Sequence, residues 1–330
     1  MVRIHACTVG VLVVILIVCN AALSLETPEG TGWLNCQGND GCVQLFNGTI
    51  RVIIDPNVGG RVVEYSLHGR NVLYTAPENL GSDVRVITPD AGRFDIGPEM
   101  TSPPRPVLWS GKWKAEITGP REARLTSEKD LSSGIQLVRE FKLAGDSSHL
   151  SCTQTIINIS DSTKQYNHWS RTLAAGGGIC VVPLTPGSRF PLGYIYYGPG
   201  SVLNYRHDKH PNIRVREGFL EITGTPPQPK FGIDSYAGWF GYITPADILF
   251  VKRFPVYPDR VYGEVAAYTI SLWYFENITC ELEPIGPRET LEPGEKASFT
   301  EDWWLLPYEF PKGKDIDLKA FDEFVSKKTE

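Results

Sequence analysis

The chain has 330 residues, a formal charge of −6 and an apolar content of 42%. That content can fill a sizeable core. The mild acidity, with no basic run, argues against a nucleic-acid partner.

The first 24 residues read MVRIHACTVGVLVVILIVCNAALS, with Arg3 as their single Lys or Arg. An apolar run from Val9 to Cys19 is followed by small residues at Ala21, Ala22 and Ser24. This is the pattern of a secretory signal peptide over residues 1–24. The run falls short of the roughly 20 apolar residues that a spanning helix needs, which favours cleavage over an uncleaved anchor. The expectation is a secreted or periplasmic mature chain, residues 25–330, with no stable membrane span after cleavage.

Cys36 and Cys42 bracket the turn-rich QGNDG and are read as a disulfide of an oxidising compartment. Neither a Cys-x-x-Cys nor a His-rich partner follows, so no metal site is expected there. Cys152, Cys180 and Cys280 cannot all pair with one another, which leaves at least one buried thiol. Asn-x-Ser/Thr sequons occur at Asn47, Asn158 and Asn277. They matter only if the source cell glycosylates.

Short runs rich in Val, Ile, Thr, Tyr and Trp, separated by Gly, Pro, Asn and Asp, read as strands along nearly the whole chain. They include CVQLF (42–46), TIRVII (49–54), GIQLVREFKL (134–143) and LSCTQTIINI (150–159). Further runs are ICVVPL (179–184), GWFGYI (238–243), ILFVKRF (248–254), YTISLWYF (268–275) and KASFTEDWWLL (296–306). Only residues 315–328 look helical. There is no βαβ alternation, fixed-period repeat or linker. These features together predict an all-β fold, one large antiparallel sandwich with a short C-terminal helix. The Pro/Gly-rich segment 76–106 reads as a long loop, and its Arg93, Asp95 and Glu99 as a wall of a binding site.

Chemistry is sought first in NHWSRT (167–172). As a strand it places His168, Ser170 and Thr172 on one face and Trp169 and Arg171 on the other. An imidazole that titrates near neutrality suits a general acid. In TCELEPIG (279–286), Glu281 and Glu283 share a face, and Pro284 is read as the strand's end. Two carboxylates on one face are costly to bury without partners, so that face is either solvated or lines a polar cleft. Trp169 and Trp304 are candidates to stack on a sugar ring, and Arg61, Arg93 and Arg171 to fork onto its oxygens. No G-x-S-x-G elbow, H-E-x-x-H or P-loop is present.

Three stretches carry a resemblance. One is Leu282-Glu283-Pro284…Pro287…Leu291-Glu292-Pro293-Gly294-Glu295; another is a turn at Asn158, Ser160 and Asp161 leading to Asn167-His168; the third is IRVIIDPNVGGRVVEYSLHGRNVLY (50–74). Together they resemble the galactose mutarotase-like superfamily of β-supersandwiches. The resemblance implies a carbohydrate ligand, mono- or polysaccharide, and no metal or cofactor. It implies Glu283 as the base that takes the anomeric hydroxyl proton and His168 as the acid that protonates the ring oxygen. The chain departs from aldose mutarotases at Trp169-Ser170-Arg171, where they carry a Tyr-Phe-Asn type sequence after Asn-His. Two other readings stand beside a mutarotase. One is a carbohydrate-binding domain without chemistry. The other is a lyase or hydrolase of extracellular glycans, with Glu99 or Glu281 as a second carboxylate. The mutarotase reading requires His168 and Glu283 to face one cleft.

Overall fold

The computed structural model describes residues 27–79, 88–198, 202–206 and 208–329. The expected signal peptide lies outside the described residues. Within them, two antiparallel sheets carry nearly all the regular structure. The front sheet has 12 strands, and its middle runs Arg61–Leu67, Gly92–Gly97, Lys164–Ala175, Thr279–Leu291, Ile270–Phe275 and Lys230–Ile233. The back sheet has 10, with Trp239–Thr244, Ile248–Arg253, Lys296–Pro307, Leu150–Asn158 and Ile135–Leu143 at its centre.

Alternation along the strands explains how the sheets meet. Tyr65, Phe94 and Leu282 of the front sheet and Phe141, Phe250 and Trp303 of the back sheet belong to one buried cluster. Tyr65 lies between Phe250 and Trp303, with ring centroids 5.8 and 5.9 Å away. The other face of the back sheet is also apolar. Leu249, Val251 and Trp304 pack there against Leu318, Phe321 and Val325 of the C-terminal helix Leu318–Lys328. Asp317 caps that helix, accepting the Ala320 N–H at 2.9 Å. Among the described residues, no helix is long and apolar enough to cross a membrane.

Cys36 and Cys42 form the expected disulfide, and Cys152, Cys180 and Cys280 are buried free thiols. Two local expectations change. The segment 76–106 is no continuous loop: Gly92–Gly97 is a strand in the middle of the front sheet, paired with Lys164–Ala175. All six of its residues are buried, with Phe94 and Ile96 facing the core and Arg93 and Asp95 the other side. The strand Thr279–Leu291 also runs on through Pro284 and Pro287. Its register against Lys164–Ala175 shifts between Asn167 and Trp169, opposite Arg288 and Ile285. The extra residue makes a bulge there, where a proline without an N–H is tolerated.

Candidate functional site

The site is built on the outer face of the front sheet, across five neighbouring strands. Residues directly opposite one another in an antiparallel pair point the same way. Arg171 lies opposite Arg93, Glu281 opposite Trp273, and Trp273 opposite Lys230. Trp169 and Arg171 alternate with His168 and Ser170, so they project outward while the other two project inward.

Arg171 is the centre. Its guanidinium lies 3.3 Å from Asp95, 3.0 Å from Glu99, 3.9 Å from Glu281 and 3.8 Å from Glu283. Arg105 forks onto Asp95, and Lys230 binds Glu99 at 2.6 Å. Aromatic rings floor the cluster. The Arg171 guanidinium lies 4.7 Å over Trp169 and 5.7 Å from Trp109. The Lys230 ammonium is 5.0 Å from the Tyr197 ring, 5.2 Å from Trp273 and 5.8 Å from Trp169. Such contacts hold a cation on the electron-rich ring face.

Burial sets the protonation. Glu281 and Glu283 are 2% and 1% exposed. Burial, then repulsion from Glu283, pushes the Glu281 carboxyl up to about 8. Burial opposes the charge of Arg171, but Glu283, Glu281, Asp95 and Glu99 outweigh it and raise that group above the arginine range. Burial likewise acts against ionised Glu99, and Lys230 and Arg171 reverse it, so Glu99 ends lower than an ordinary glutamate. Four acids thus face Arg105, Arg171 and Lys230, and Glu281 holds a proton near neutral pH. Glu281 Oε1 and Glu283 Oε2 are buried without a hydrogen-bond partner.

The structure brings Glu99, Trp169, Arg171, Glu281 and Glu283 together. It sets the other candidates elsewhere. His168 is 0% exposed and faces the back sheet. Its ring stacks between Phe94 and Phe299, at 5.8 and 5.6 Å, and its Nε2 lies 3.1 Å from the Ala297 carbonyl. Burial drives its pKa down to about 4, so it is neutral at pH 7. Glu283 instead accepts the Trp169 N–H on the opposite face. The expectation that His168 and Glu283 share a cleft is therefore corrected. Their alternation on neighbouring strands places the sheet between them.

Arg61 and Arg93 are also corrected as ligand contacts. Arg61 is 0% exposed and bonded to Asp55 and Asp90. Arg93 is 1% exposed, 2.6 Å from Asp90, and stacked beneath Trp109. Trp304 packs on the far face of the back sheet, under the C-terminal helix and 4.5 Å from the His149 ring. Its neighbour Trp303 takes the inward position.

Sequence reasoning missed Lys230, Arg105, Trp273 and Tyr197. The alternation of Ser271, Trp273 and Phe275 in YTISLWYF carried a signal for Trp273, but only strand pairing sets it opposite Glu281. One three-ligand group, Cys36, Cys42 and Asp55, lies within 4.8 Å among the described residues. The disulfide takes both of its sulfurs. A cleft of about 940 Å³, lined by Phe190, Tyr194, His210, Ile213 and Val215 among others, shares no residue with the Arg171 cluster.

No family model and no curated protein sequence matches the chain. Solved structures do. A galactose mutarotase-like protein from Lactobacillus casei aligns over 81% of this chain and 100% of its own, at 11% identity and a TM-score of 0.57. A galactose mutarotase related enzyme from Lactobacillus acidophilus aligns over 82% and 99%, at 8% identity and 0.57. A galactose mutarotase-like protein from Clostridium acetobutylicum aligns over 85% and 99%, at 11% identity and 0.55. The sandwich resembled in the sequence is thus the one the chain adopts: it has the galactose mutarotase-like fold, in a divergent form.

Proposed function

We propose that this is a secreted or periplasmic carbohydrate-binding protein whose ligand lies on the outer face of the front sheet, and that it does not interconvert anomers through His168 and Glu283. The observation that carries the reading is the pair of faces. His168 is sealed between the sheets, while the charged and aromatic groups gather on the outside. Ring opening needs an acid and a base on opposite sides of one sugar ring. A neutral imidazole behind the sheet cannot serve a ligand in front of it.

The outward groups suit recognition of a polyhydroxylated ring. Glu99 and Lys230 offer an acceptor and a donor at the surface, with side chains 30% and 12% exposed. Trp273 is half-buried and stacks 4.6 Å from Phe275, which is 41% exposed. The Trp273 ring lies beside the charges, 5.2 Å from the Lys230 ammonium. A second reading has one specific support. Glu281 holds a proton near neutrality beside Glu283, and an acid–carboxylate pair is the equipment of glycan cleavage.

Saturation-transfer NMR with a panel of monosaccharides and uronic acids separates these readings. The expected result is saturation of a bound sugar, lost in Trp273→Ala, with anomer exchange at its uncatalysed rate. Faster exchange that disappears in Glu283→Gln would overturn the proposal. Shortening of an oligosaccharide, abolished by Glu281→Gln, would establish the second reading.

A further inference from the structure

We propose that Asn277 is an N-glycosylation site and that the exposed ring of Phe275 is the platform for its first sugar. The three sequons differ sharply once folded. Asn158 is 1% exposed, and its amide donates to Ser162 and Leu291 carbonyls at 2.9 Å each. Asn47 donates to the Ala144 and Ser147 carbonyls, both at 2.7 Å. An N-linked glycan replaces one amide hydrogen by a sugar carbon. At either of these positions it breaks a bond that holds two segments together, and at Asn158 it has no room.

Asn277 has neither obstacle. It is exposed at the tip of the hairpin joining Ile270–Phe275 to Thr279–Leu291. The turn is closed by main-chain groups: Ile278 N–H donates to Phe275 O at 2.9 Å, and Gly176 N–H to Ile278 O at 2.9 Å. Among the described residues, no side-chain hydrogen bond of Asn277 supports it. The sequon reads Phe275-Glu276-Asn277-Ile278-Thr279, with Phe275 and Thr279 directly opposite each other. Phe275 is 41% exposed and backed by Trp273 at 4.6 Å. A glycan leaving the tip can fold back so that the C–H face of its first ring covers that apolar surface, removing it from water.

In the transfer, Asn277 Nδ2 bonds to the anomeric carbon of an oligosaccharide carried on a lipid pyrophosphate. The bond from that carbon to the pyrophosphate oxygen breaks, the lipid pyrophosphate leaves with the electron pair, and the amide gives up one proton. The proposal rests on export, which the leader-like residues 1–24 imply, taking the chain through a glycosylating pathway.

The test is expression of the full chain in cultured eukaryotic cells, with peptide mass mapping of secreted, disulfide-bonded protein before and after amidase deglycosylation. A second form carries the same mature sequence behind a standard cleavable leader, so that failure of the native leader is distinguished from failure of the site. The expected result is a glycan on Asn277, a bare Asn158, and loss of one glycan's mass in Asn277→Gln. Folded, secreted protein with Asn277 bare in both forms would overturn the site. Trimming by an endoglycosidase reads the platform. It should run several-fold faster in Phe275→Ser, and an unchanged rate would remove Phe275 from the proposal.

Discussion

The Trp169 indole N–H donates to Glu283 Oε1 at 2.6 Å across two neighbouring strands, and both residues are sealed from water. The bond gives a buried carboxylate, whose charge partner Arg171 stands 3.8 Å away, its hydrogen bond and ties it to the ring on which Arg171 rests. Trp169→Phe keeps an aromatic face, smaller than the indole, and removes the donor. Leaving a buried charged acceptor short of a partner costs about 1–3 kcal/mol. Urea unfolding should show that loss with an unchanged slope, and a loss below 0.5 kcal/mol would mean that the bond is idle.

Arg171 answers to four carboxylates, so its removal is expected to be the most damaging single change in the cluster. Arg171→Met should cost about 3–5 kcal/mol, the range for breaking a buried ion pair from one side. Neutralising its partners should reverse much of this. Arg171→Met combined with Glu281→Gln and Glu283→Gln is expected to be more stable than Arg171→Met alone. Equal or lower stability of the triple variant would place the damage in packing rather than charge.

The pH dependence follows from two buried groups of opposite sign. Glu281 is raised from 4.5 to about 8, so the folded chain holds a proton there that the unfolded chain releases. Its contribution is fully present below pH 4.5 and is lost as pH rises towards 8. His168 is lowered from 6.5 to about 4, so its contribution is present above 6.5 and is lost as pH falls towards 4. The two oppose each other between 4.5 and 6.5. Between 6.5 and 8 Glu281 alone of the two acts, and stability should decline. Denaturant midpoints over this window should fall in the wild type and stay level in Glu281→Gln. A matching fall in that variant would assign the effect elsewhere.

Lys252 crosses from the back sheet to two of the strands that carry the site. Its ammonium donates to Ser170 and Thr172 at 3.1 and 2.9 Å and to the Leu282 carbonyl at 3.1 Å, and it pairs with Glu301 at 2.9 Å. Lys252→Met should cost about 3–5 kcal/mol by leaving Glu301 unpaired. Because Ser170, Thr172 and Leu282 each adjoin an outward-facing residue of the cluster, sugar binding should weaken in this variant although Lys252 touches no ligand. Unchanged affinity in the folded fraction would show that the strands hold their places unaided.

The fold was legible because period-two alternation and turn residues recur along the chain, and because the Glu-Pro and Asn-His stretches carried the resemblance. The disulfide and the C-terminal helix were legible for similarly local reasons. Gly92–Gly97 was not, since a strand buried on both sides and flanked by Gly and Pro looks like loop. At the site, alternation correctly separated His168 from Trp169 and grouped Glu281 with Glu283. It could not say which of two strand faces matched across neighbours, and so His168 was joined to a carboxylate on the wrong side. Lys230 was invisible because pairing between distant strands brings it there, and Arg105 because it stands on the irregular segment before Pro106–Trp109 and meets Asp95 only in the fold.

Arg171 also gives the outer face an intramolecular competitor. Its guanidinium bonds Glu99 and stands 3.3, 3.9 and 3.8 Å from Asp95, Glu281 and Glu283, so any ligand seeking those oxygens must displace a group that never diffuses away. Apparent affinity is then the intrinsic affinity scaled by the fraction of molecules with the arginine swung aside, and every 1.4 kcal/mol that holds it in place weakens binding about tenfold. A sugar that reads only Glu99, Lys230 and the Trp273 face escapes most of this competition. One that needs the deeper carboxylates meets it in full, which makes depth of engagement, rather than hydroxyl count, the basis on which this face selects.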